Sequence, residues 1–492
     1  MASAYTLAPP TRLYPMRRFA ALLFIATAAT AAPRPNIVFV LTDDMALRDL
    51  SVMPKLQALV AAKGTTFSSY FVTDSLCCPS RSSILRGQFV HDHHTLGNQP
   101  PDGGFEKFHA AGNEKSTIAT WLKAAGYRTA LMGKYLNGYP ATVAQNYVPP
   151  GWDEWDSPSR GGYGEFNYLL NENGRLVQHG SAPDDYLVDV MARKSVAFID
   201  GAVAAKQPFF LYLATFAPHQ PATPAPRHAN LFPNATAPRD ASFDEADVSD
   251  KPAFVRALPP LRPRQMAMID NLYRKRIRSL QSVDEMIETI VRELQRLGAL
   301  DNTYIVFTSD NGFHLGNHRM QQGKQTAYET DIHVPLLVRG PGIAAGATRD
   351  ELVVETDLAP TFAAWAGAAA PSFVDGRSLA PLLAGQSGTW RNAVLIEHFA
   401  GSTEPFASAF EETQRRGRGR IPTYRALRTR DTTYVEYETG ERELYNLPRD
   451  PLELDNAYAA TDRAVVDRLA RQLHALQSCS GATCRTAEAM AH

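Results

Sequence analysis

Asp43-Asp44, Asp310-Asn311 and the run Leu76-Cys77-Cys78-Pro79-Ser80-Arg81 are where this 492-residue chain concentrates side chains able to do chemistry. Two adjacent carboxylates repel each other unless a cation or a shared proton intervenes. Alone, Asp43-Asp44 reads equally as the cap of a helix following a strand. Asp310-Asn311-Gly312 alone reads as a turn. Together, Asp43, Asp44, Asp310 and Asn311 make an oxygen-only ligand set, which suits a hard divalent ion, Ca²⁺ or Mg²⁺, rather than zinc. Cys77 and Cys78 are adjacent, so one short loop does not readily turn both thiolates on a single metal. The plain alternative for that run is a surface turn with Arg81 solvated. Three cations complete the set: Lys134 in Gly133-Lys134-Tyr135, His219 in Pro218-His219 and Lys324 in Gly323-Lys324-Gln325. A lone Lys or His in a loop is ordinarily exposed, but each of these lies near an expected strand.

The apolar runs at 36–42, 128–132, 209–214, 304–309 and 335–339 are short, β-branched or aromatic, and edged by polar or Gly residues, as buried parallel strands tend to be. Helical patterns fall between them at 117–125 and 268–297. In the second, Val283, Met286, Ile287, Ile290, Val291 and Leu294 form one apolar stripe. Alternating strands and helices predict an α/β fold: a large mixed, mostly parallel sheet sandwiched by helices. Ligands bind such sheets at the carboxyl ends of the strands, where Asp43-Asp44 and Asp310-Asn311 fall. The Pro-rich stretch 218–263 predicts a long irregular excursion, with a glycosylation sequon at Asn234-Ala235-Thr236. Beyond 388 a strand at 393–397, antiparallel β at 424–437 and a helix at 464–476 predict a smaller C-terminal antiparallel-sheet subdomain. The expected organisation is therefore a leader at 1–32, a catalytic domain at 33–388, and a C-terminal subdomain and tail at 389–492.

Arg17-Arg18 precedes the apolar run 19–29 and the small residues Thr30-Ala31-Ala32, the pattern of a secretory signal, with Met16 a candidate start. The run is too short for a membrane span. A secreted, periplasmic or lysosomal location is expected. The four cysteines lie at 77, 78, 479 and 484. In an exported protein the last two close a local disulfide, which leaves Cys77 and Cys78 for chemistry rather than cross-linking. Fifty basic residues against 51 acidic ones give a net charge of -1, with no overall field to draw nucleic acid or a membrane.

Cys77-x-Pro79-Ser80-Arg81 resembles the modification site of the type I, formylglycine-dependent sulfatases of the alkaline phosphatase superfamily. Asp43-Asp44, the hexapeptide, Gly133-Lys134, Pro218-His219, Asp310-Asn311-Gly312 and Lys324 follow the order of that family's active-site motifs. Glu443-Leu444-Tyr445-Asn446-Leu447, with Asp450-Pro451 and Glu453, looks like its C-terminal signature. The Cys-Cys form, Gly-Lys-Tyr-Leu-Asn at 133–137 and His-Asp-His-His at 91–94 are most similar to the N-acetylglucosamine-6-sulfatase, arylsulfatase and extracellular endosulfatase branch. The resemblance implies that a formylglycine-generating enzyme oxidises Cys77 to formylglycine. It implies Ca²⁺ held by Asp43, Asp44, Asp310, Asn311 and the modified Cys77, with Arg81 on the formylglycine hydrate. Lys134 and Lys324 would contact the sulfate oxygens, with His219 near the leaving oxygen and His219 or Lys324 as the acid. The implied reaction is hydrolysis of a sulfated carbohydrate, such as N-acetylglucosamine 6-sulfate, or of an aryl sulfate, through a sulfated-enzyme intermediate. One position departs: many sulfatases have His where this chain has Leu136, and Asn137, His93 and His94 are the candidates for the base. Two other readings share these residues, a phosphonate or phosphate-ester hydrolase of the same superfamily and a catalytically silent sulfated-glycan binding protein.

Overall fold

The computed structural model describes residues 1–12, 34–386, 388–401 and 421–490. The chain divides into two units, 1–33 and 34–492. Residues 1–12 carry no helix or strand; the expected signal, with Arg17-Arg18 and Met16, lies outside the described residues. No helix among the described residues is long and apolar enough to cross a membrane.

In the second unit the strands are β1 (Asn36–Thr42), β2 (Thr65–Phe67), β3 (Tyr70–Phe71), β4 (Arg128–Gly133), β5 (Glu154–Arg160), β6 (Leu169–Glu172), β7 (Arg175–Gln178) and β8 (Phe209–Ala214), followed by β9 (Thr303–Ser309), β10 (Leu336–Arg339), β11 (Ala347–Arg349) and β12 (Val353–Val354). Ten of them form one sheet in the order β11-β2-β10-β9-β1-β8-β4-β5-β6-β7. The central run from β9 to β5 is parallel. β5, β6 and β7 extend one edge antiparallel. They were not foreseen, because Glu154–Arg160 is polar and contains a proline, and so lacks the apolar signature of a strand. β10 corrects the parallel expectation for 335–339, since it runs antiparallel to β9. No long helix crosses a face of the sheet between them. The chain instead stays at the carboxyl end of β9 and re-enters from that end, and a parallel return would need a crossover.

The helices are α1 (Cys77–Arg86), α2 (Ile118–Ala124), α3 (Leu187–Ala204), α4 (Pro263–Arg296), α5 (Leu358–Ala366) and α6 (Arg463–Leu476), besides shorter turns. Alternation along β1 sorts them into two layers. Ile37, Phe39 and Leu41 join an apolar cluster with Leu122 of α2 and Phe362 of α5. Val38 and Val40 join Ile199 of α3 and Met286 and Ile287 of α4 on the opposite face. Excursion residues 218–262 hold only short helical turns, and Asn234 is exposed.

A separate four-stranded antiparallel sheet follows, β13 (Ala393–His398), β14 (Tyr424–Thr429), β15 (Thr432–Tyr437) and β16 (Arg442–Asn446), paired in that order. α6 packs Val466, Leu469, Leu473 and Leu476 against Leu395, Leu427 and Tyr434. Cys479 and Cys484 are disulfide-bonded, and Cys77 and Cys78 are in no disulfide.

Candidate functional site

Strand register brings the chemistry together. Thr42 pairs with Ser309, Leu41 with Ala214, and Ala214 with Gly133, so four adjacent parallel strands end at one level. Asp43-Asp44, Lys134, and Asp310-Asn311 are the next residues on three of them. His219 follows β8 by a short loop. The hexapeptide is not the loop the sequence suggested, because it opens α1 with Cys77 as its first residue. Pro79 sits in the first turn, where its missing N–H leaves no bond unmade. Gly87 ends the helix at φ +67°, and a Cβ there would lie 2.9 Å from Val374 Cγ1. The surface-turn alternative fails outright, since Arg81 is 1% exposed. Lys134, His219 and Lys324 are buried as well.

Asp43, Asp44, Cys77 and His219 each place one ligand atom within 4.8 Å of the others. Lys134 Nζ donates to Asp43 Oδ2 at 2.6 Å, and Lys324 Nζ donates to Asp44 Oδ1 at 2.7 Å. Lys324 Nζ also lies 2.7 Å from Cys77 Sγ, which is 3.4 Å from Asp43 Oδ1. Arg81 Nε donates to Asp310 Oδ2 at 2.7 Å and Nη1 to the Lys134 carbonyl at 3.0 Å. Asp310 Oδ1 accepts the Asp44 N–H at 3.0 Å, and Asn311 Nδ2 donates to Asp44 Oδ1 at 2.7 Å. Asp43-Asp44 caps no helix, since the short helical turn that follows is capped at Ala46. Burial by itself raises the Asp43 carboxyl, but Lys134, His219 and Arg81 outweigh it and hold it at about 2. For Asp310 burial prevails over Arg81 and pushes the carboxyl up to about 6. Burial likewise pushes the Cys77 thiol well up, against the pull of Lys134 and Lys324. Such a thiol is a poor thiolate nucleophile.

The donor set fits a hard divalent cation. Asn311 Oδ1 is buried with no hydrogen-bond partner among the described residues, beside three buried carboxylates. An oxygen in that position costs free energy unless a cation or donor satisfies it. Cys78 diverges from Cys77 as the adjacency argument required: it packs in the apolar cluster and donates its N–H to Asn98 Oδ1 at 2.8 Å.

A cavity of about 1030 Å³ opens above the cluster, with Lys134 and His219 in its lining. Leu136 and Asn137 line it too, whereas His93 and His94 do not. His93 spends both ring nitrogens inside the fold, on Ser83 Oγ at 3.0 Å and the Thr95 N–H at 3.1 Å. His94 is exposed. Of the three candidates for the base, only Asn137 reaches the cavity. Sequence reasoning missed Tyr163, whose ring lies 4.7 Å from that of His219 and 5.1 Å from Lys134 Nζ. The signal was the run Gly161-Gly162-Tyr163-Gly164, which folds as a tight turn. A Cβ at Gly162 would lie 2.4 Å from the Phe216 ring.

Glu355 was also missed. Ser80 Oγ lies 2.5 Å from both the Asp310 carbonyl and Glu355 Oε2, while Glu355 Oε1 accepts from the N–H and Oγ1 of Thr73. A hydroxyl has one hydrogen and a carbonyl only accepts. Ser80 therefore donates to Asp310, and Glu355 Oε2 must carry the proton it gives to Ser80. Burial pushes this carboxyl up to about 8, against the hydrogen bonds that Thr73 donates to it. A carboxyl raised from its ordinary 4.5 contributes stability in full below about pH 4.5 and loses it as pH rises through 8. We expect Glu355→Gln, which keeps a donor toward Ser80, to lose less stability than the unaltered protein between about pH 5 and about pH 9. Urea unfolding at the two pH values measures the difference, and equal losses would show that Glu355 does not titrate there.

Residues 35–368 match the family described as Sulfatase, and 316–479 the one described as N-sulphoglucosamine sulphohydrolase, C-terminal. The N-acetylglucosamine-6-sulfatase of Homo sapiens is 37% identical over 487 residues, spanning 93% of this chain and 87% of that protein. An arylsulfatase of Volvox carteri is 36% identical over 512 residues, spanning 95% and 77%. The same fold appears in a solved structure of a protein with its substrate D-glucosamine-2-N,6-O-disulfate, at TM-score 0.76 and 24% identity over 90% of this chain and 97% of that one. It appears again in a phosphonate monoester hydrolase from Silicibacter pomeroyi, at TM-score 0.67 and 23% identity over 89% and 93%. Identities that low speak for the architecture alone, but the family match and the two long alignments at over 35% identity go further. Together they establish that this chain belongs to the sulfatase family, whose members are sulfuric ester hydrolases.

Proposed function

We propose that the protein removes sulfate from sulfated carbohydrates, N-acetylglucosamine 6-sulfate among them, with formylglycine at position 77 and Ca²⁺ held by Asp43, Asp44, Asp310 and Asn311. One observation carries this reading: Cys77 is enclosed by two carboxylates and Lys324, in one buried cluster with Lys134 and His219, which line the cavity. Asp43, Asp44 and Asp310 balance Arg81, Lys134 and Lys324 in charge. A bound divalent cation would therefore leave this cluster with two positive charges in excess, matched to an anionic ester. Held there, the cation would supply Lewis-acid activation of the nucleophile. Formylglycine, made by a formylglycine-generating enzyme, supplies when hydrated the hydroxyl nucleophile that a neutral thiol does not.

The remaining work falls to the chain's own residues. Cys77 begins α1, whose unsatisfied amide end favours negative charge there. Arg81 anchors the site by holding Asp310 and the backbone of Lys134. Lys134 and Lys324 are placed to stabilise charge developing on the sulfuryl oxygens. His219 Nδ1 donates to the Gln220 carbonyl at 2.7 Å. Because a carbonyl only accepts, Nδ1 carries a proton, and Nε2, 3.6 Å from Asp44 Oδ2, is the atom that gives a proton to the departing alcohol. Asn137 is a neutral amide and a poor proton acceptor, so the one base candidate that reaches the cavity is not suited to the second half-reaction. The names of the relatives favour a sugar sulfate, with an aryl sulfate as a convenient probe. An extracellular sulfatase among them supports export.

Rates on an aryl sulfate, N-acetylglucosamine 6-sulfate and an aryl phosphate, measured on one preparation, test this. Sulfate esters are expected to be cleaved much faster. Faster phosphate cleavage would support the phosphonate or phosphate-ester reading instead, and sugar binding without turnover the silent binding protein.

A further inference from the structure

Asp44 stands in the left-handed backbone region, at φ +66°. A non-glycine residue remains there only when its surroundings fix it. Three donors and acceptors do so. The Asp44 N–H donates to Asp310 Oδ1 at 3.0 Å, and the following N–H, of Met45, donates to Ser309 Oγ at 2.8 Å. The Asp44 carbonyl accepts from Nη2 of Arg276, midway along α4.

Arg276 is fully buried. Its Nη1 donates to the carbonyl of Pro218 at 3.3 Å, the residue before His219. Nη2 lies 3.3 Å from Asp49 Oδ2, and the guanidinium carbon sits 4.4 Å above the Phe313 ring. One planar fork thus grips the backbone on both sides of the Asp44–His219 pair, whose side chains meet at 3.6 Å. An ammonium is a point donor on a flexible stem and does not hold two carbonyls in a fixed relation. Keeping a charge this deep is costly unless its geometry is well satisfied, and here two of the contacts that satisfy it are these carbonyls.

We propose that Arg276 is the positioning residue that sets Asp44 against His219, and through Asp44 shapes the cation site. This rests on the reading above that Asp44 is a metal ligand. Arg276 touches neither the cavity nor the reacting groups, so its effect travels through the two backbones it holds.

The test titrates Ca²⁺ by calorimetry into the unaltered protein, Arg276→Met, Arg276→Lys and Asp49→Asn, with thermal unfolding of each as the folding control. Arg276→Met is expected to weaken Ca²⁺ binding about 10–100-fold, the usual cost of losing an outer partner of a metal ligand. Arg276→Lys is expected to fall between it and the unaltered protein. Asp49→Asn keeps both carbonyl contacts and is expected to bind Ca²⁺ as the unaltered protein does. On an aryl sulfate, both Arg276 variants are expected to lose kcat with little change in KM. If Arg276→Met does not fold, Arg276→Lys, which keeps the charge beside Asp49, carries the same comparison. Unaltered Ca²⁺ affinity in a folded Arg276 variant overturns the proposal, and so does a loss in Asp49→Asn as large as in Arg276→Met. Absence of Ca²⁺ binding in the unaltered protein would instead fail the metal assignment itself, a result distinct from either.

Discussion

Cys77→Ala is expected to lower kcat by at least about four orders of magnitude, the scale on which removing a catalytic nucleophile acts. The thermal midpoint should move by no more than a few degrees. The position is buried, yet its sulfur faces Asp43, Asp44 and Lys324 and belongs to none of the apolar clusters, so its loss opens no cavity in the core. Lys324 keeps its bond to Asp44, and no charge is stranded. Cys78→Ala should show the opposite pattern, because Cys78 packs in the apolar cluster beneath α1. Steady-state kinetics and thermal unfolding of the two variants separate chemistry from packing at adjacent positions. A folded Cys77→Ala that keeps a tenth of the activity would remove residue 77 from the mechanism.

Stripping Ca²⁺ with a chelator is expected to reduce turnover to background while leaving the protein folded, and added Ca²⁺ should restore it. The fold survives because the site neutralises itself: Lys134 on Asp43, Lys324 on Asp44 and Arg81 on Asp310 already pair the three carboxylates. Those pairs also compete with the metal, so the cation must draw both carboxylates away from their lysines. Saturation should still raise stability, by about 2.7 kcal/mol at a free Ca²⁺ concentration a hundredfold above Kd. Thermal unfolding across a Ca²⁺ titration, run beside the activity assay, measures both effects. Full activity in the presence of excess chelator would contradict the assignment of Asp43, Asp44, Asp310 and Asn311.

What the sequence disclosed and what it hid follow from the range of the interactions. Asp43-Asp44 and Asp310-Asn311 were legible because each follows a buried apolar strand, and parallel strands that share a register deliver their ends to one place. Lys134 and His219 were legible for the same reason. Arg276 was not. It occupies a long helix, and its partners are carbonyls 232 and 58 positions away, which leave no trace in composition or spacing. Glu355 was hidden in the same way, its role depending on Ser80 being 275 residues earlier. The hexapeptide was read for its chemistry but misjudged in shape. Pro79 suggests a loop, yet a proline in a first helical turn breaks nothing. The direction of β10 was open because a short apolar run carries no sign of its polarity, which the connection from β9 decides.

The central claim is that residue 77 acts as formylglycine and not as cysteine. Peptide mass spectrometry across residues 77–81 of active protein, from a cell that makes formylglycine, tests it most directly. The expected result is an aldehyde in place of the thiol, in a fraction that tracks specific activity from one preparation to the next. An intact Cys77 thiol in fully active protein would contradict the account.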